Sequence, residues 1–503
     1  MVLVFLWLIV AVIVGTFVLS FGFLKKPTGR DRNLQNPILQ TQREQHLNSL
    51  PPGGMGWPLI RNMWSFVRAY KSQIPESFIN NLKRRYGETG IYKTNLFRNP
   101  SIIVCSPELC RKVLTDDEQF QLGYPLSSLV LDGIMPSDYI SGSGHKQFYR
   151  LTTSSLTRNK PLSLHVGSVE EIVTNALEEC SKMKEPILFF HEMNKIAFKV
   201  IMTMFLGYAT NDTVIASMEK SYTDLFSGLF CTPINIPGFA YHKVVKARKK
   251  QVKEIQGVLG EKRERKRNDP NSKIDLIDVI REAGDSKGEK LDEEYIIIIL
   301  VMFLIAGRET SGRTATWATI YLHHHPHCNS PILGLVGTVE EQEKIMKRRP
   351  SSQKGLTLSE IKQMKYLSKV IDETLRRRTN VFALFREAKN DTHLNGYFIP
   401  KGWKVLVWQS AVHMDSEIYP NPKEFLPSRW DGFKPKVGAF LPFGAGSSTC
   451  PGADLAKLVI SIFLHCFTLN YKLEQLNPGG PVNYLPCSPD PADNCPARII
   501  KIH

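Results

Sequence analysis

Residues 443–452 read Phe443-Gly444-Ala445-Gly446-Ser447-Ser448-Thr449-Cys450-Pro451-Gly452, a single cysteine in a glycine-rich loop that ends where an apolar helical pattern begins. Gly444, Gly446 and Gly452 permit positive φ and close backbone approach to a flat ligand, and Pro451 suits the first turn of a helix. A helix N-terminus favours an anionic sulfur. The stretch is suited to presenting a thiolate, although a cysteine in such a loop is by itself more often structural. Its meaning depends on the residues upstream.

The chain has 503 residues, with no Ser/Gly linker or low-complexity tract after the N-terminus and no internal repeat. Hydrophobic residues at 42% and charged residues at 22% describe a globular protein with ample core, not a disordered one. Nine cysteines, odd in number and without a C-x-x-C pair, argue against a disulfide framework or a zinc site and for a reducing compartment. Residues 1–24 read as a transmembrane anchor: Val2 to Leu24 carry no charge, and about 20 apolar residues suffice to span a bilayer. A cleaved signal peptide has a shorter apolar region and an A-x-A-like site, which is lacking here. Lys25, Lys26, Arg30 and Arg32 then leave the rest of the chain on the cytosolic side. Residues 25–58 form a basic, proline-rich linker ending in Leu50-Pro51-Pro52-Gly53-Gly54-Met55-Gly56-Trp57-Pro58, and 59–503 form one catalytic domain.

A net charge of +16 raises the question of nucleic acid. In the densest basic run, Lys243 to Arg267, Glu254, Glu261 and Glu264 interrupt the charge and no aromatic residues interleave. That pattern suits a solvated face, or a surface meeting anionic lipid or an acidic partner, and excludes nucleic acid.

Helical periods run through Glu170–Met183, Leu188–Leu206, Lys249–Arg267, Asp292–Leu322, Ser359–Arg378 and Ala453–Phe467. Strands are short: Ile102–Val104, a hairpin turning at Asn395-Gly396, and Val405–Trp408. The class is therefore mainly α with small β-sheets.

Four constellations give Cys450 its context. Ile296 to Ala306 is apolar on every face and then meets Gly307-Arg308-Glu309-Thr310. A glycine that widens a helix beside a carboxylate and a hydroxyl can hold water and relay protons; the competing reading is a packing glycine with Thr310 bonded back to a carbonyl. Thr357 and Glu360 form a capping box, after which Glu373 and Arg376 share one helical face. Buried, that pair needs a third partner, and Arg429 in Phe425-Leu426-Pro427-Ser428-Arg429 is the candidate. Cys450 closes the series. One thiolate on iron is the leading reading, because an axial cysteine pushes electron density onto haem and favours O–O cleavage.

In that order, behind an anchor and a proline hinge, these motifs resemble the cytochrome P-450 superfamily of haem-thiolate monooxygenases over nearly the whole chain. Tyr86-Gly87, Ile234-Asn235-Ile236-Pro237-Gly238-Phe239-Ala240, Lys347-Arg348-Arg349-Pro350 and Asp493-Asn494-Cys495 are most similar to the plant family containing ent-kaurenoic acid oxidase and β-amyrin 11-oxidase. The resemblance implies the cytochrome P-450 fold with haem b. Cys450 would be the iron ligand, with Phe443 packed by its sulfur and Gly444 and Gly452 shaping the loop. Glu309 and Thr310 would deliver protons, Glu373, Arg376 and Arg429 would lock the fold, and Arg386 would bind a propionate. NADPH electrons would arrive through a separate cytochrome P-450 reductase at the endoplasmic reticulum membrane. The implied reaction is oxidation of a plant terpenoid: ent-kaurenoic acid, in the gibberellin pathway, or a triterpene such as β-amyrin.

Three departures stand against the family pattern. Ser448 occupies a position usually held by Arg, Tyr149 replaces the arginine four residues after His145, and Asn329 to Thr338, with Pro331, Gly334 and Gly337, interrupts a helix that relatives continue. The two missing arginines keep open a haem-poor, non-catalytic paralogue, whereas Glu309 and Thr310 argue against an oxygen-independent isomerase or dehydratase. His323, His324, His325 and His327 point around a helix and suit its surface, not one metal ion.

Overall fold

The computed structural model describes residues 49–56, 62–124, 149–153, 159–207, 212–227, 234–269, 275–282, 291–324, 335–485 and 488–502. The expected anchor at 1–24, most of the linker, His145, and 329–334 of the interrupted helix lie outside the described residues.

The helices are α1 (Met63–Lys71), α2 (Glu76–Tyr86), α3 (Pro107–Thr115), α4 (Asn159–Ser181), α5 (Phe189–Leu206), α6 (Asp212–Ser227), α7 (Ala240–Asn268), α8 (Leu276–Glu282), α9 (Glu293–His324), α10 (Leu335–Arg348), α11 (Leu358–Gln363), α12 (Lys365–Arg377), α13 (Gln409–His413) and α14 (Ala453–Asn470). The strands are β1 (Ile91–Leu96), β2 (Asn99–Val104), β3 (Phe120–Leu122), β4 (Ile187–Leu188), β5 (Leu384–Ala388), β6 (Thr392–Leu394), β7 (Tyr397–Ile399), β8 (Lys404–Val407), β9 (Tyr471–Gln475), β10 (Val482–Asn483), β11 (Asp490–Pro491) and β12 (Pro496–Lys501).

The α9 helix contradicts local propensity. Ile296 to Ile299 are β-branched and disfavour helix, yet all four are buried, and packing on α5 outweighs propensity. Glu293 and Glu294 complement its N-terminal dipole. Both α9 and α14 are long and apolar enough to cross a bilayer, but 67% of each apolar window is buried, which makes them core helices. With α4, α5 and α12 they bury one apolar cluster containing Val173, Phe198, Ile299, Val370 and Phe467.

The expected helix Ser359–Arg378 is two helices. Thr357 caps α11 through a complete capping box with Glu360, and Met364, at φ −71° and ψ 65°, breaks the run before α12. The Asn395-Gly396 turn joins β6 to β7, both residues at positive φ (51° and 79°) as a type I′ turn requires.

The main sheet runs β1-β2-β8-β5-β3, with only the β2–β8 pair parallel. It places Arg386 of β5 opposite Val405 of β8 on one side and Leu122 of β3 on the other. A second sheet, β4-β12-β9, seats the C-terminal chain beside the start of α5.

Candidate active site

The cysteine loop is held by its own backbone. Cys450 N–H donates to Phe443 O at 2.8 Å, and Gly444 N–H to Leu441 O at 3.1 Å. Gly444 and Gly446 take φ of 77° and 71°; a Cβ on Gly446 would stand 3.0 Å from Thr115 Cα, so the loop lies directly on the end of α3. Gly452 differs from expectation: it caps α14 at φ −90° and needs no left-handed backbone. Pro451 likewise precedes that cap, since the helix begins only at Ala453. Cys450 is exposed, yet protein crowds it enough that burial pushes its thiol up, against the Gly452 backbone, which pulls it down. Phe443 is half-buried, with Lys457 Nζ 5.8 Å from its ring centre.

Glu373 and Arg376 are wholly buried and bonded twice, Nε to Oε2 at 2.9 Å and Nη2 to Oε1 at 2.8 Å. Arg429 completes the set at 3.3 Å from Glu373 Oε1. Sequence reasoning missed the rest of the shell. Trp430 Nε1 donates to Glu373 Oε2 at 3.1 Å and Leu426 N–H to Oε1 at 3.1 Å, while Arg376 Nη1 donates to His413 O at 2.8 Å. Trp430 directly follows Arg429 in the sequence; His413 carried no local signal.

Arg386 is 2% exposed. It donates to Asp117 Oδ1 at 2.6 Å, to Phe120 O at 3.3 Å and to Ser448 Oγ at 3.1 Å, and its Nε has no partner among the described residues. Burial raises the Asp117 pKa, but hydrogen bonds from Ser447 and Arg386 outweigh it and hold the carboxyl below its ordinary value. Ser448, where an arginine was expected, is therefore a hydrogen-bond acceptor for Arg386.

On α9 the structure separates the two expected proton-handling groups. Thr310 Oγ1 donates to Ala306 O at 2.7 Å. Buried Glu309 instead pairs with Arg308 and accepts from Asn194 Nδ2 of α5 at 3.4 Å. Arg308 also reaches Glu219 of α6 at 3.4 Å and lies over the Tyr222 ring at 4.7 Å. Gly307 is a packing glycine: α9 continues unbroken, and a Cβ there would meet Ile201 Cδ1 at 2.5 Å.

The donor set decides what fits. Among the described residues no cluster of three His, Cys, Asp or Glu gathers as an ion cage. One exposed thiol, a buried guanidinium with a free N–H and left-handed glycines suit a flat iron chelate bearing anionic groups. Tyr149 is half-buried and Arg150 exposed on the turn of helix at 149–153.

The cytochrome P450 family model matches residues 51–486. β-Amyrin 11-oxidase of Glycyrrhiza uralensis is 50% identical over 474 residues, 94% of each chain. Ent-kaurenoic acid oxidase 2 of Arabidopsis thaliana is 49% identical over 453 residues, 90% of this chain and 91% of its own. The solved cyanobacterial CYP120A1 with retinoic acid bound superposes with a TM-score of 0.75 at 25% identity, covering 90% of this chain and 100% of that one. The motif order, the mainly helical fold with small sheets and these matches agree: the chain belongs to the cytochrome P450 family of haem-dependent oxidoreductases.

Proposed function

We propose that this protein is a haem-thiolate monooxygenase oxidising a terpenoid, with Cys450 as its iron ligand. The observation that carries the reading is the exposed thiol of Cys450 just before α14, its backbone N–H tethered to Phe443 O and, among the described residues, no cluster of other metal donors around it. Coordination to iron would deprotonate a thiol that burial otherwise keeps protonated. Arg386 would offer its free Nε to a propionate. Haem held by Cys450 and Arg386 would supply the oxygen activation. Thr310, its proton donated to Ala306 O, keeps oxygen lone pairs for a proton donor, and Glu309 serves as the acid once it leaves Arg308 and Asn194.

Electrons come from NADPH through a separate cytochrome P-450 reductase. Residues 1–24 anchor the chain in the endoplasmic reticulum membrane with the catalytic domain cytosolic. Ent-kaurenoic acid is the first substrate class and a β-amyrin-type triterpene the second, the second supported by the 50% identity to a β-amyrin 11-oxidase.

Expression with a plant reductase, a reduced-CO spectrum and product analysis on both substrates test the assignment. Cys450→Ala should abolish the thiolate-type CO band, and an unchanged band removes Cys450 as ligand. Thr310→Ala should keep substrate binding while diverting NADPH electrons to peroxide; unchanged coupling refutes its proton role. A parent chain that takes up no haem favours the non-catalytic paralogue.

A further inference from the structure

Two adjacent arginines end α12: Arg377 is its last residue and Arg378 its C-cap. The helix C-terminus and two aromatic faces account for their stems. The Arg377 guanidinium lies 4.8 Å from the Tyr321 ring centre, and that of Arg378 lies 4.2 Å from Trp317. Their heads lack the partners that Arg376 has. Among the described residues Arg377 makes no hydrogen bond and no ion pair, while Arg378 donates Nη1 to Tyr484 OH at 2.8 Å and leaves a buried Nε without a partner. An unsatisfied buried donor is costly, so a ligand acceptor here is favoured. Burial lowers the Arg377 pKa, Tyr321 opposes this, and the neighbouring Arg378 and Arg376 lower it further, whereas Tyr321 and Tyr484 outweigh burial and hold Arg378 above its ordinary value.

Both arginines line a cavity of about 490 Å³ between α1, α2 and the end of α12. Small-molecule sites span about 300–1,000 Å³. The remaining charges on its wall pair off, Lys83 with Asp415 at 3.3 Å and Lys423 with Glu76 at 3.3 Å, which leaves the two guanidiniums as its uncompensated charge. Tyr70, Ile79, Phe382 and Met414 supply an apolar side. Cys450, Arg386, Glu309 and Thr310 are not among its lining residues, so this site is distinct from the candidate active site.

We propose that this cavity binds an amphipathic oxyanion, a carboxylate or phosphate monoester with an apolar body, its head on Arg377 and Arg378 and its body along Tyr70, Ile79 and Phe382. Guanidinium forks match both head groups. A terpenoid acid and an anionic lipid share this chemistry.

The test is isothermal titration of the full haem-loaded chain with octanoate, octyl phosphate, octan-1-ol and inorganic phosphate, with the Soret band recorded in parallel. Octanoate and octyl phosphate should bind once per chain without moving the Soret band, at least tenfold tighter than octan-1-ol or inorganic phosphate. Arg377→Gln, on a partly exposed side chain, should weaken them about tenfold. Arg378→Lys, which keeps the charge but loses the fork, should weaken octyl phosphate; if it fails to fold, Arg377→Gln decides alone. Equal affinity for octan-1-ol and octanoate, or unchanged binding by a folded Arg377→Gln variant, overturns the proposal. Displacement of octanoate by ent-kaurenoic acid, whatever Soret change its binding at the active site adds, assigns the anion to a terpenoid acid, and displacement by phosphatidic acid vesicles assigns it to lipid. Displacement by neither also overturns it.

Discussion

Leu441 N–H donates to Nε2 of His413 at 2.9 Å, joining the loop that leads to Cys450 to the residue whose backbone carbonyl Arg376 grips. His413 is fully buried, and its Nδ1 lies 2.9 Å from Thr379 Oγ1. Because Nε2 accepts, Nδ1 carries the proton, so the neutral ring is the form that fits. Burial, assisted by Arg376, pushes its pKa down to about 3.

That depression fixes a pH dependence. A histidine depressed on folding binds its proton more readily when unfolded, so its contribution is intact above the unfolded value near 6.5 and is lost as pH falls from there toward about 3. His465, held at about 4 by burial, and half-exposed His165, also lowered by burial, act with the same sign. Stability should fall by up to about 1.4 kcal/mol per pH unit per group below 6.5. His413→Asn should be less stable at pH 7 but lose less between pH 7 and 4.5. Parallel urea titrations of parent and variant check this; equal slopes reject His413 as a titrating group.

The Glu373 site predicts graded losses. Glu373→Ala strands the Arg376 guanidinium, 0% exposed, without its carboxylate, and breaking a buried pair costs about 3–5 kcal/mol. Arg429→Ala removes one partner while Arg376, Trp430 and Leu426 still bond Glu373, so it should cost less than half as much. Urea denaturation of the two variants compares them, and equal losses reject the assignment of Glu373 as the centre of the network.

Much of this was legible because it is local. The capping box at Thr357, the Asn395-Gly396 turn and the apolar run in α9 each follow from neighbours within a few residues. The Glu373–Arg376 spacing was equally visible, and burial then had to select Arg429. What was hidden depends on chain brought from afar: Asn194 on Glu309 across 115 positions, Asp117 on Arg386 across 269. Gly307 misled for the same reason. Its neighbour Ile201 lies on α5, and without that contact a packing glycine reads as a helix-widening one.

The contact between α5 and α9 should show in two glycine substitutions of opposite severity. A Cβ on Gly312 would stand 3.0 Å from Asn194 Cα and N, backbone atoms that cannot rotate away, whereas a Cβ on Gly307 meets only the tip of Ile201. Gly312→Ala should therefore cost at the upper end of the about 1–3 kcal/mol typical of overpacking, and also disturb the Asn194 contact to Glu309. Gly307→Ala should cost under about 1 kcal/mol and be rescued by Ile201→Val. Thermal midpoints of the three variants are the measurement; an equal loss for both glycines rejects the distinction between backbone and side-chain clash.

Ser448 carries the last prediction. It now accepts from Arg386 at 3.1 Å, a bond that occupies one guanidinium nitrogen which a haem propionate would otherwise take. Asp117 occupies another at 2.6 Å, so Nε is the donor left without a protein partner. Ser448→Arg removes that acceptor and adds a cation beside Asp117, whose carboxylate limits repulsion between the two arginines. A charge-assisted hydrogen bond contributes about 1.5–3 kcal/mol, so haem loss to an acceptor protein should slow by at least about tenfold. Adding Tyr149→Arg should slow it further and raise the haem-to-protein ratio, with non-additivity expected if the two arginines serve one ligand. A double variant that loses haem as fast as the parent means that Arg386, or Arg150 on the turn at 149–153, already satisfies the propionates, and that the two missing arginines do not weaken haem retention in this chain.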